Sequence, residues 1–138
     1  MTYRYLDHMT DAFIEVTGDT INEAFSNAGI SVVDTIVDIN SVENKEDREI
    51  QVSSDDLKGL LYSWLEEIII LTITDGFAGR TFTVDITKNA KYHLSAKISG
   101  EEINFEKHHF KMEIKAPTYH LMEIKENKPV LMRFILDL

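Results

Sequence analysis

Two helical stripes followed by a long series of alternating segments organise this chain. Ile21, Ala24, Phe25, Ala28 and Val32 recur at helical spacing and predict one buried stripe after a turn at Thr17-Gly18-Asp19. Thr20 and Glu23 fit a capping box at its start, and Gly29 within the stripe predicts a close packing contact. Fraying is expected near Asp38-Ile39-Asn40-Ser41. Leu57, Leu60, Leu61, Trp64, Leu65 and Ile68 form a second i, i+3, i+4 series, ending before Asp75-Gly76. Ser54 is its expected N-cap, with Asp55 and Asp56 meeting the positive end of the helix dipole. Trp64 reads as a core residue rather than a cofactor contact.

Strand patterns flank the helices. Residues 3–6 and 12–16 are β-rich, and 48–52 alternates between the two helical stripes. From Arg80 the period becomes two, predicting strands over 81–86, 92–98, 102–105, 111–115, 119–125 and 130–136, with Gly100 as a breaker. Phe77-Ala78-Gly79 and Lys107-His108-His109 read as exposed turns. Helices early and strands late predict an α+β fold: a largely antiparallel sheet with two amphipathic helices on one face, in a single domain over residues 1–138.

Composition narrows the chemistry. The chain is 43% hydrophobic and 28% charged, as an ordinary globular protein is. No apolar run reaches the ~18 residues of a membrane span, and no signal-peptide pattern opens the sequence, so a cytoplasmic location is expected. The lack of cysteine excludes disulfides, thiolate zinc sites and thiol nucleophiles. Net charge is −10, and residues 1–67 hold four Lys or Arg against fifteen acids. Such a chain is repelled by phosphate backbones, so strong direct nucleic-acid binding is not expected. An acidic surface of this kind suits a basic protein partner or a cation.

No glycine-rich phosphate loop or nucleophile elbow is present. His108 and His109, if placed on a strand, would point to opposite faces. The turn Asp7-His8-Met9-Thr10-Asp11 offers oxygen and nitrogen ligands, although Asp7 and Asp11 could equally hydrogen-bond nearby amides. A metal-dependent phosphoester hydrolase using Asp7, His8 and Asp11 is one reading of that turn. For the protein as a whole, a chaperone-like binding module is a second alternative, disfavoured by the lack of a large exposed apolar segment. At the other end, Ile135-Leu136-Asp137-Leu138 is apolar enough to be packed, which makes Asp137 and the Leu138 carboxylate two adjacent ordered anions. Should these meet Asp11 in space, the oxygen-rich site suits a hard cation such as Ca²⁺ or Mg²⁺.

Several motifs resemble one known family. Leu6-Asp7-His8-Met9-Thr10-Asp11 resembles the Asp/Glu-His-Thr-Ala-Asp signature of the archeases, and Gly18-Asp19-Thr20-Ile21-Asn22-Glu23-Ala24-Phe25 is similar to their first helix start. The run from Asp55 to Glu67 resembles their second helix. Glu113-Ile114-Lys115-Ala116-Pro117-Thr118-Tyr119-His120 resembles their Glu-Val-Lys-Ala-x-Thr-Tyr-His segment, and the family also ends in Asp plus one aliphatic residue. Met9, Thr10 and Pro117 depart from the pattern without removing a ligand. The resemblance implies an accessory protein of the RtcB-type RNA-splicing ligase, non-catalytic itself. Its implied role in tRNA splicing is to promote guanylylation and multiple turnover of the ligase and to broaden its nucleotide use. It also implies a calcium-like site at Asp11, Asp137 and Leu138, with Mg²⁺ or Mn²⁺ as alternatives.

Overall fold

The computed structural model describes residues 2–6 and 11–138. Among the described residues, seven strands form two antiparallel sheets. One has the order β1-β2-β7-β6, built from β1 (Thr2–Leu6), β2 (Asp11–Gly18), β7 (Val130–Asp137) and β6 (Ala116–Lys125). The other has the order β3-β5-β4, built from β3 (Glu46–Ser54), β5 (Tyr92–Glu102) and β4 (Phe77–Lys88). The α+β class and antiparallel pairing expected from the sequence are present. The strands, however, divide between two sheets, and the helices contact both.

Helix α1 (Ile21–Ile36) packs on β2 of the first sheet and β4 of the second, while α2 (Leu57–Ile69) packs on β6 and β3. This explains why α1 buries Ala24, Phe25, Asn27, Ala28, Ser31, Val32, Val33 and Ile36, more than one stripe would need. Gly29 faces the second sheet, where a Cβ would lie 2.9 Å from the Phe82 ring. Trp64 is fully buried, donates its indole N–H to the Phe25 carbonyl at 2.8 Å and meets Phe82 edge-on. That bond joins the two helices at the centre of the core and gives the indole the partner that a buried tryptophan requires.

Helix ends follow the local chemistry with one correction. Thr20 caps α1 by accepting from the Glu23 amide at 3.1 Å, and Glu23 reaches back to the Asp19 amide at 3.3 Å. For α2 the N-cap is Asp56, which accepts from the Gly59 amide at 2.7 Å, and not Ser54. Ser54 is still paired with Tyr92 in the β3–β5 ladder, which keeps it extended. A π-helical turn, Ile70–Thr74, carries α2 on to Asp75.

Other local expectations yield to tertiary contacts. Phe77 and Ala78 are not an exposed turn but the fully buried start of β4. Gly100 does not break its strand: β5 continues to Glu102, and a Cβ at Gly100 would sit 1.9 Å from the Ala78 carbonyl oxygen. Only glycine allows that approach, beside the β4 bulge between Gly79 and Thr81. Residues 102–105 are not a separate strand; they lead into the short helix α3 (Phe105–His108), capped by Asn104. His108 is fully buried in it, so Lys107-His108-His109 is no exposed turn. Residues 111–115 form no strand: the Lys111 amide bonds to the Ile36 carbonyl of α1 at 2.7 Å, and a single bond, from the Lys115 amide to the Asp137 carbonyl at 2.8 Å, ties the segment to β7.

Candidate functional site

The antiparallel register of β2 and β7 sets Asp11 directly opposite Asp137, the last residue pair of that ladder. Directly opposed residues share a face, with Cβ atoms roughly 4.5–5.5 Å apart, and like charges so placed repel. Asp137 also faces Ala116 of β6, so the acid sits on an inner strand of the sheet rather than at a frayed edge. Its backbone is held from outside by the Lys115 amide. The apolar run before it explains the order: Phe134, Ile135 and Leu136 are all buried. Leu138 packs partly against the core.

Asp11 and Leu138 line one cleft of about 460 Å³ together with Tyr5 and Leu6 of β1, Asp34 and Thr35 of α1, and Lys111 and Met112. Several of these lining residues belong to a polar network. Tyr3 donates its hydroxyl to Asp34 Oδ2 at 2.5 Å, and the Tyr5 hydroxyl lies 3.0 Å from Thr35 Oγ1. Burial, reinforced by the Asp34 carboxylate, pushes the Tyr3 hydroxyl above its ordinary pKa, and burial does the same for Tyr5. Both hydroxyls therefore stay protonated at neutral pH. Lys111 Nζ donates to the Asp34 carbonyl at 2.7 Å, satisfying a carbonyl at the negative end of α1.

Two ion-pair clusters hold this framework. Across the first sheet, Glu15 accepts from Arg4 Nε at 2.7 Å and Arg133 Nε at 2.8 Å, linking β1, β2 and β7 in register. The Arg4 bond, opposed by burial and aided by Arg133, holds the Glu15 carboxyl below its ordinary range. The second cluster fixes the segment that brings Lys111 to the cleft. His108 Nδ1 accepts from the Asn104 amide at 2.9 Å, so its proton sits on Nε2, 3.1 Å from Glu101 Oε2. Glu101 also receives Lys107 Nζ at 3.0 Å on Oε1 and the Glu43 amide at 2.7 Å on Oε2. Burial would raise the Glu101 pKa, but these donors outweigh it and hold the carboxyl at about 2.

The structure thus sets Asp11 opposite Asp137 in the ladder, and Asp11 and Leu138 line the same cleft. Asp7 and His8 lie outside the described residues. Among the described residues no group of three or more His, Cys, Asp or Glu side chains could hold a metal, so two side-chain carboxylates are the set seen here. Their chemistry fits a hard cation, which takes carboxylate oxygens and offsets the repulsion between facing acids. Sequence reasoning missed Lys111 and the Glu101–His108 pair. The alternation at 111–115 resembled a strand, and nothing local shows that a histidine between charged neighbours will be buried.

Comparison with known proteins agrees with the motifs. Residues 3–138 match the model of the Archease protein family (MTH1598/TM1083). Protein archease of Pyrococcus abyssi is 42% identical over 125 residues, covering 90% of this chain and 88% of that protein. Protein archease of Methanosarcina barkeri is 36% identical over 124 residues, covering 88% and 85%. The solution structure of Methanobacterium thermoautotrophicum protein 1598 superposes with a TM-score of 0.84 at 34% identity, covering 99% of this chain and 98% of that one. A whole-length family match, substantial identity and a shared fold lead to one conclusion: the chain belongs to the Archease family.

Proposed function

We propose that this protein is a cytoplasmic, non-catalytic accessory factor that activates an RtcB-type RNA-splicing ligase in tRNA splicing. It promotes guanylylation and multiple turnover of the ligase and broadens its nucleotide use. The observation that carries the reading is the in-register facing of Asp11 and Asp137 in a chain of this family. Asp11, Asp137 and the Leu138 carboxylate would hold a divalent cation, calcium-like, with magnesium or manganese as alternatives. When bound, the cation supplies positive charge that offsets the repulsion of these carboxylates.

The chain's own residues then have positioning roles. The Glu15–Arg4–Arg133 row keeps β1, β2 and β7 in register, which holds Asp11 against Asp137. Lys111 and Asp34 brace the cleft. The acidic end so formed docks at the metal-rich, phosphate-binding cleft of the ligase and helps organise it for nucleotidyl transfer.

The test is ligase guanylylation and repeated RNA joining with substoichiometric amounts of this protein. Stimulation is expected from the wild type and should fall to background with Asp11→Ala or Asp137→Ala, while circular dichroism shows the fold retained. Full stimulation by both variants would sink the reading. Metal-dependent phosphoester turnover by the purified chain alone would support a hydrolase instead. Extending the chain past Leu138 should weaken metal binding, and an unchanged affinity would remove the terminal carboxylate from the ligand set.

A further inference from the structure

The Thr118-Tyr119-His120 motif has no role in the site above, yet the chain makes an unusual arrangement there. Between Thr118 and Glu123 the β6–β7 register shifts, and residues 119–122 have no partner on β7. Met122 turns inward and is buried, while Tyr119 is 55% exposed and Leu121 is 51% exposed. Leu121 adopts φ +58°, a left-handed conformation that is strained for a leucine. The bulge thus presents Tyr119 outward at the edge strand of the first sheet.

Tyr119 does not stand alone. Its ring stacks on Tyr62 of α2, with centroids 4.5 Å apart and planes 10° from parallel. Stacking fixes the orientation of the Tyr119 ring and leaves its outer face to solvent. The surroundings are acidic: Asp56, at the N-cap of α2, and exposed Glu66, one turn beyond Tyr62, both act on the Tyr119 hydroxyl through their charge. Exposed Asp55 adjoins them, and Lys58 is the cation on that stretch of helix. Tyr119 is three residues from Ala116, which faces Asp137, so the platform lies about 10 Å along the strand from the paired acids.

We propose that the stacked Tyr62–Tyr119 pair and its flanking carboxylates form a docking platform for an arginine- or lysine-bearing segment of a partner protein. A guanidinium laid on the outer face of Tyr119 gains cation–π attraction, while Asp56 and Glu66 meet its charge at the rim. The net charge of −10 steers a basic partner towards the chain and a nucleic acid away from it. This deepens the accessory reading and rests on it: the platform holds the partner while the Asp11–Asp137 end reaches the partner's cleft.

The experiment measures binding of the full chain to its cognate ligase by calorimetry, in parallel with ligase guanylylation. Tyr119→Ala and Glu66→Lys should each weaken binding about tenfold, the order expected for one partly desolvated cation–π or charge contact. Tyr119→Phe, which keeps the ring, should bind within about twofold of wild type. Asp11→Ala should fail to stimulate, whatever its effect on affinity. If Tyr119→Ala and Glu66→Lys bind like wild type while stimulation persists, the platform is overturned and the accessory reading stands. If the ligase neither binds nor responds, the accessory reading fails and a short arginine-rich peptide decides the platform, monitored by the NMR resonances of Tyr62 and Tyr119. Saturable shifts lost in Tyr119→Ala support the platform. No shifts, equal shifts with a glutamate-rich peptide, or self-association abolished by Tyr119→Ala would each overturn it.

Discussion

Glu101 shows how much a single buried carboxylate can organise. It accepts from the Lys107 ammonium, the Glu43 amide and the His108 imidazole, and the histidine has no exposure to water. Glu101→Ala would leave the His108 Nε2–H and the Glu43 amide without their acceptor, at an expected cost of about 1–3 kcal/mol in urea unfolding. The folded carboxyl is held at about 2, below its ordinary value of 4.5. Its contribution to stability is therefore present above pH 4.5 and lost as pH falls towards 2. The wild-type advantage over Glu101→Gln should shrink across that same window. A pH-independent difference would show that the ionised form is not what stabilises the cluster. Nothing local in the sequence announced this pair, because its members approach only when α3 folds back under the end of β5.

At the scale of elements, α1 and α2 were legible because their ends and stripes are local. The Thr20 cap and the Glu23 return bond span four residues or fewer, whereas the α2 cap falls on Asp56 rather than the expected Ser54 because Ser54 stays in the β3–β5 ladder. Thr20→Ala should lower stability by about 1 kcal/mol, read as a shifted urea midpoint with unchanged slope. No shift would mean that tertiary packing alone holds the first turn. The segment between β5 and β6 was illegible for the opposite reason. Its alternating pattern satisfies a strand's period, but its amides bond to the exposed carbonyls of α1 and β7. Backbone groups take whatever partner the assembled molecule offers, and here a helix end takes the start of the segment and a strand end its last residue.

For the molecule as a whole, two sheets clasp a helix pair, and the first sheet sets Asp11 of β2 against Asp137 of β7, 126 residues apart in the chain. A cation bound there would stabilise the native state with the logarithm of its excess over Kd, by about 3 kcal/mol at a hundredfold excess. Adding calcium should therefore raise the melting temperature of the wild type, and Asp137→Asn should abolish the rise. An equal rise in that variant would place the cation elsewhere. Stabilisation should reverse on chelation, since it depends on the free cation concentration.

The sequence by itself determined the helices, most of the strands, the acidic surface and the pairing candidates Asp11 and Asp137. Periodicity, capping and charge are properties of neighbouring residues and survive without tertiary information. Only the tertiary structure decided that the strands form two sheets, that Asp11 and Asp137 face each other, and that His108 is buried on Glu101. It also decided that Tyr119 stacks outward on Tyr62. Each of those depends on contacts between residues far apart in the chain, where register and burial, not local preference, choose the partner.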